Sequence, residues 1–368
     1  MALPTEILLP IFTEASTIGL RADIASKNLC FSDIDGHSPL PDPLNIAAVC
    51  RRWREIALDA PQLWSSLSLS LDSDRLSDPS TPARLQLYVE RSRGSPMTIR
   101  IHGQYTSNSR HTLAKVNPLM MVLRSCVHHW AELQLVSPPP RSLWNDTSLP
   151  IFQLLDGTVS YPDSSTRPSL QTLTLGEPLH LSNKPYSFTN HLFGRLTTLT
   201  VSPRLNLHHL WYGGILSRCS PTLTNLTIEL LGVPDEGDFH RWQVLPSLRS
   251  LTIVAKWRKG NPKEAFASIF NALVCPGLKK LELRVETEVP VVTKRGQWPG
   301  PEAKEFLGIV EPPTESDPEE HGETLHGLEE LILVNVKVAA LELADILEAT
   351  PSLRTLTFDG QVKVLRMH

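Results

Sequence analysis

Along the C-terminal half of the chain, apolar positions recur as x-x-Leu-x-x-Leu-x-apolar. The pattern is read in "PSLQTLTL" (168–175), "FGRLTTLTV" (193–201), "PTLTNLTI" (221–228), "PSLRSLTI" (246–253), "PGLKKLEL" (276–283), "HGLEELIL" (326–333) and "PSLRTLTF" (351–358). The first leucines fall at 170, 196, 223, 248, 278, 328 and 353, so the intervals are 26, 27, 25, 30, 50 and 25. The last two apolar positions of each unit are two apart and share one face of a short strand. One short strand cannot bury that face alone, whereas stacked neighbours make a continuous core. Between the strands the period changes. Leu207, Leu210, Trp211 and Ile215, then Phe266, Ile269, Phe270 and Leu273, then Leu343, Ile346 and Leu347, recur at three and four and predict amphipathic helices. Prolines at Pro221, Pro276 and Pro351 mark where those helices end. The predicted repeat is strand, loop, helix.

Upstream the pattern loosens. "PMTIRI" (96–101) and "WAELQLV" (130–136) read as strands, with helical "TPARLQLYVERSR" (81–93) and "LMMVLRSCVHHWAE" (119–132) between and beside them. Residues 137–148 and 158–169 read as loops. Between 284 and 327 the sequence predicts an oversized unit, with a helix at 301–310, extended residues at 288–294 and an acidic loop at 311–324. A degenerate extra strand near Val289–Val292 stays open. At the N-terminal end, Ile7, Leu8, Ile11 and Phe12 form one apolar stripe behind Pro4, and Pro10 is expected to distort or shorten that helix. A second helix is expected from Asp42-Pro43, with Ile46, Val49, Cys50, Trp53 and Ala57 inward and Arg51, Arg52, Arg54 and Glu55 on its flanks. Pro61 should end it and Trp64 tuck back beneath it; Leu67, Leu69 and Leu71 then alternate with serines as a strand.

Composition narrows the function. With 35 basic against 39 acidic residues the net charge is −4, so no global field favours nucleic acid or a membrane surface. The arginines near Trp53 bracket a buried stripe and have no aromatic platform beside them, which excludes a nucleic-acid helix. No apolar run approaches the ~18 residues of a spanning helix, and residues 1–15 lack the layout of a secretory signal. Five widely spaced cysteines with no CxxC pair fit a reducing, intracellular compartment, cytoplasmic or nuclear. The sequons at Asn145 and Asn225 are then expected to be silent. No nucleophile elbow, P-loop, zinc-protease motif or dinucleotide fingerprint is present. The adjacent pairs His128-His129 and His208-His209 diverge on a helix and suit joint metal ligation poorly. The expectation is no enzyme, no catalytic or metal residue and no cofactor.

The N-terminal residues carry a family resemblance. Leu3-Pro4-x-Glu6-Ile7-Leu8-x-x-Ile11-Phe12, then Val49-Cys50-Arg51-Arg52-Trp53-Arg54-x-Ile56-Ala57, then Pro61-x-Leu63-Trp64, resembles the F-box of fungal proteins in which it precedes leucine-rich-like arrays. The repeats in turn resemble leucine-rich repeats, whose period of about 20–29 residues they share, although the usual asparagine after the strand is absent from most units and Asn335 is the nearest candidate. The implied fold class is α/β: a small helical F-box, then a curved solenoid with short parallel strands on the concave side and helices on the convex side. The implied organisation is an F-box-like domain at 1–70 with an insertion at about 13–43, irregular early repeats at 71–165, and the array at 166–368. The implied function is a substrate receptor of a Skp–cullin–F-box ubiquitin ligase. Leu3, Pro4, Ile7, Leu8, Ile11, Val49 and Trp53 would bind the Skp-type adaptor, and through it the cullin, while the array binds an unidentified protein substrate. Trp257, Arg258, Lys280, Glu282, Arg284 and Glu330 are the candidate substrate surface. An alternative is a stand-alone scaffold whose helical end only caps the solenoid. The long insertion before Val49 is either a surface loop that leaves docking intact or an obstruction that makes the module a relic.

Overall fold

The computed structural model describes residues 3–25, 43–70, 80–102, 118–119, 121–135, 170–176, 193–201, 215–230, 243–257, 262–287, 296–307, 327–359 and 361–364. The chain divides into two compact units, Met1–Gln134 and Leu135–His368. The extended segment expected at 288–294 and the acidic loop expected at 311–324 lie wholly outside the described residues.

The first unit begins with helix α1 (Thr5–Ala25). It runs through Pro10, against the expectation of a distorted or shortened segment. Pro10 sits on the exposed side, so its ring meets solvent and the cost is one helical donor rather than a broken helix. Because α1 continues to Ala25, the stretch expected as an insertion begins as helix; residues 26–42 lie outside the described residues. The single helix expected after Pro43 is two, α2 (Pro43–Val49) and α3 (Arg51–Asp59). Cys50 separates them in extended backbone (φ −158, ψ 169), and its sulfur accepts from the Trp53 amide, capping α3. That break re-phases the stripe. Pro43, Ile46 and Ala47 are buried in α2 and Ile56 and Ala57 in α3, while Val49 and Cys50 are exposed instead of inward. A short 3-10 turn, Pro61–Trp64, follows. It buries Trp64 completely, with the indole N–H donating to the Ala57 carbonyl at 2.7 Å.

Strand β1 (Ser66–Ser70), helix α4 (Thr81–Arg91), strand β2 (Met97–His102) and strand β3 (Trp130–Leu135) follow, and β1 pairs β2 in parallel. Leu67 and Leu69 are buried and Ser68 exposed, as alternation requires. The helix expected over 119–132 is shorter: Val127–His129 is a 3-10 turn and Trp130 already begins β3.

In the second unit every one of the seven repeats carries a strand. These are β4 (Thr172–Leu175), β5 (Thr198–Val201), β6 (Asn225–Leu230), β8 (Ser250–Trp257), β10 (Lys280–Thr287), β12 (Glu330–Val334) and β14 (Thr355–Phe358). They pair in parallel in chain order with their leucines in one row: Leu173, Leu199, Leu226, Leu251, Leu281, Leu331 and Leu356. A backbone device repeats with them. The Gln171 carbonyl accepts from both Thr197 and Thr198 amides, at 2.9 and 3.0 Å, and the carbonyls of Thr197, Thr224, Arg249, Lys279 and Glu329 do the same for the next strand. The residue after each first leucine thus fixes the register of its neighbour, while the leucine itself is buried beneath. Two short parallel ribbons flank this sheet: β7 (Gln243–Val244) with β9 (Leu273–Val274), and β11 (Gly296–Gln297) with β13 (Val336–Lys337). Leu273, expected on a helix face, belongs to β9 because helix α6 (Pro262–Ala272) ends just before it. Helix α5 (Ile215–Cys219), α6, α7 (Gly300–Phe306) and α8 (Ala340–Ala349) supply the other layer. Phe270 of α6 stacks on Phe306 of α7, 4.6 Å between centroids, which seats the oversized unit's helix against its neighbour. The final strand, β15 (Gln361–Val364), returns antiparallel on β14 and covers that edge. The chain is therefore mixed α/β with N-terminal helices and a large, open parallel sheet.

Candidate functional site

The stripe Ile7, Leu8, Ile11, Phe12 is wider than one packing seam, and α1 splits it into two rows. Leu8 and Phe12, four apart, are buried at 5% and 3% exposure; Ile7 and Ile11, also four apart, are each 51% exposed. Leu8 is thus part of the core and is not on the surface where the resemblance placed it. Leu3 is 54% and Val49 60% exposed, Pro4 is exposed, and Trp53 is half-buried. Single exposed apolar residues need no explanation, whereas a cluster of large ones marks an interaction surface.

Two contacts join the stretches that carry these residues. The Phe12 and Trp53 rings lie 4.7 Å apart, tilted by 58°. The Arg52 guanidinium donates to the Leu3 carbonyl across 49 positions of sequence. The neighbouring arginines are engaged as well. Arg51 pairs with Glu55 at 3.0 Å, and Arg54 donates through Nε to the Ala47 carbonyl at 3.0 Å, closing the end of α2 onto α3. The sequence pattern made all three flanking surface; the carbonyl partners of Arg52 and Arg54 carry no compositional signal.

The candidate substrate residues lie on the strands of the second unit. Trp257 is the last residue of β8, and Arg258 lies outside the described residues. Lys280 on β10 pairs with Glu330 on β12 at 3.2 Å, and Arg284 pairs with Glu282 of its own strand at 2.5 Å. Lys279 with Glu329 (2.7 Å) and Lys256 with Glu229 (2.6 Å) are further ion pairs between neighbouring repeats. The hydrogen bond from Lys279 holds the Glu329 carboxyl below the usual carboxylate range. Toward β4 the same outward positions are uncharged: Thr172, Thr198, Asn225 and Ser250 form one row, and Thr174, Thr200, Thr227 and Thr252 the next. Asn335 does more than its pattern implied. It adopts φ +56, its side chain donates to the Val285 carbonyl at 3.0 Å, and its amide donates to Asp359 at 2.8 Å.

The His128 and His129 rings lie together, 3.9 Å apart, rather than diverging. Burial, and next the charge of His129, push His128 below its ordinary value. Among the described residues no group of three or more His, Cys, Asp or Glu could hold a metal ion, and no helix is long and apolar enough to cross a membrane.

No curated protein matches the chain. The F-box-like family matches residues 1–70, the stretch that holds the exposed apolar residues Leu3, Ile7, Ile11 and Val49 together with the Trp64 turn, and does not extend over the seven strand repeats. Residues 1–70 are an F-box-like domain.

Proposed function

We propose that this chain is the substrate-recruiting subunit of a Skp–cullin–F-box type ubiquitin ligase. Its F-box-like domain docks on the Skp-type adaptor, through which it reaches the cullin, and its strand repeats, a curved leucine-rich-repeat-like array, hold a protein substrate. It acts inside the cell as an adaptor and not as a catalyst. The observation that carries this reading is the exposed apolar row on an F-box-like domain whose own core is already filled by Leu8, Phe12, Ile56 and Trp64. Leu3, Pro4, Ile7, Ile11 and Val49, with Trp53 at the margin, are the docking residues; Leu8 supports them from within. On the array, Trp257, Arg258, Lys280, Glu282, Arg284 and Glu330 remain the proposed substrate surface, and a substrate there competes with the pairs Lys280–Glu330 and Arg284–Glu282.

The capping alternative makes a different demand. A terminal cap needs a polar outer face, and four large apolar side chains at half exposure or more argue against a cap alone. The test is co-elution of the full chain with a Skp-type adaptor. Docking requires a stable complex that is lost in a Leu3→Ala, Pro4→Ala double variant whose folding is unchanged. A chain that never co-elutes is a scaffold.

A further inference from the structure

Leu3 lies just before α1, outside the helix. Pro4 is tied to α1, since its carbonyl accepts from the Ile7 and Leu8 amides at 3.2 and 3.1 Å. Leu3, one residue earlier, is held from outside that helix. Its carbonyl takes the guanidinium of Arg52. Among the described residues, Arg52 alone of Arg51, Arg52 and Arg54 reaches a distant stretch of chain; Arg51 and Arg54 bond within α2 and α3. The location of Arg52 calls for a reason as well. It stands with Arg51 in the first turn of α3, which has no acidic residue, and a positive charge there opposes the helix dipole. A half-buried guanidinium that is unfavourable for its own helix, yet bonded to another segment's backbone, is doing something for that segment.

We infer that Arg52 is the positioning residue of the docking surface: it fixes Leu3, and with it the start of the apolar row, against α3. The inference rests on the docking reading above. It divides the labour within the Arg-Arg-Trp stretch. Trp53 packs on Phe12 and holds the helices together, while Arg52 sets how the first docking residue is presented.

The test measures adaptor affinity and unfolding midpoint on the full chain. Arg52→Ala should weaken binding about fivefold, the size of one water-exposed charged hydrogen bond, with the unfolding midpoint unchanged. Arg52→Lys, which keeps one donor, should recover part of that loss. Arg51→Ala removes the same charge one residue away, where it pairs only with Glu55, and should change affinity by less than about twofold. Combined with Leu3→Ala, Arg52→Ala should cost little more, because a residue acting through Leu3 is not additive with it. Without adaptor, amide exchange over residues 3–8 should quicken in Arg52→Ala and not in Arg51→Ala. Unchanged affinity or unchanged exchange in Arg52→Ala overturns the inference and leaves docking standing. Full additivity with Leu3→Ala assigns Arg52 a direct or long-range role and also overturns it. If the unaltered chain does not bind the adaptor, both readings fall.

Discussion

Ile7 and Leu8 are chemically close and adjacent in sequence, yet α1 gives them opposite surroundings, so substituting each by alanine separates the proposed docking from folding. Leu8 is 5% exposed beside Phe12. Removing its buried methyl groups should cost about 3 kcal/mol, the middle of the range for such truncations. For the first unit, Met1–Gln134, an unfolding entropy near 2.1 cal/mol/K per residue amounts to about 0.28 kcal/mol/K. Leu8→Ala should therefore lower that unit's midpoint by about 10 °C. Ile7 is 51% exposed, so folding has already used about half of its burial. Covering the remainder in a complex is worth about 1 kcal/mol, from the 1.5–3 kcal/mol of a whole side chain. Ile7→Ala should leave the midpoint within about 2 °C, as surface changes do, and weaken adaptor binding about fivefold. Calorimetry and titration of the two variants check both numbers. An Ile7→Ala protein that melts early but binds normally, with Leu8→Ala the reverse, would refute the division of the stripe into two rows.

Three further expectations concern the cysteines, Asn335 and the edge of the first unit. Burial pushes the Cys219 and Cys275 thiols up to about 12 and raises Cys126 as well, while Cys50 is exposed. In a Cys30→Ser background, a thiol reagent should label Cys50 in the native protein and the other three only on unfolding. The same shifts set the alkaline stability. Below about pH 8.5 folded and unfolded thiols are both protonated; above it only the unfolded ones ionise, so stability falls by about 1.36 kcal/mol per pH unit for each buried thiol, and Cys219→Ala should flatten that slope in urea titrations. Asn335→Ala loses the bond to Val285 but keeps a Cβ at φ +56, whereas Asn335→Gly loses the same bond and removes the Cβ that disfavours this conformation. The alanine variant should be less stable by a further ~1 kcal/mol in denaturant midpoint, and equal losses would mean that the backbone conformation is not held. A fragment ending at residue 70 should be far less stable to urea than one ending at 134, because it lacks α4 and β2; equal stability would make the helices an independent fold.

The strand repeats were legible because their signal is local and redundant. Each first leucine, the leucine three residues on and the apolar residue two beyond that are a fixed spacing, and a single in-register leucine row satisfies every unit at once. The N-terminal helices were legible in kind but not in phase. A helical period carried unbroken from Pro43 to Ala57 places Val49 inward, whereas the one extended residue at Cys50 rotates everything before it relative to everything after. The stripe on α1 misled in another way, since its period is the same for a row facing the core and a row facing out. Its excess width was the available sign. The anchoring roles of Arg52 and Arg54 were not legible, because a backbone carbonyl accepts from any donor that reaches it and leaves no partner residue to look for.

The family match and the fold unit end at different places, and Trp64 shows why. It closes the F-box-like turn by donating to the Ala57 carbonyl, and its ring meets Tyr88 of α4 edge-on at 5.3 Å. It also stands where each later repeat has its first leucine: Trp64-x-x-Leu67-x-Leu69 has the spacing of Leu170-x-x-Leu173-x-Leu175. The correspondence extends to hydrogen bonding. The Ser65 carbonyl accepts from Thr98 of β2 at 2.9 Å, as the Gln171 carbonyl accepts from Thr198 of β5 at 3.0 Å, and Leu67 pairs with Ile99 as Leu173 pairs with Leu199. Trp130-x-x-Leu133-x-Leu135 repeats the pattern with a second tryptophan in the leading position. A tryptophan there fills more volume than leucine and keeps an N–H to donate, which Trp64 gives to the Ala57 carbonyl and Trp130 to the Cys126 sulfur at 3.5 Å. The Ala57 carbonyl belongs to α3, so Trp64 is the last residue of the helical module and the first of the strand pattern. The helical module that carries exposed Ile7 and Ile11 on α1 and Val49 on α2 thus runs directly into β1.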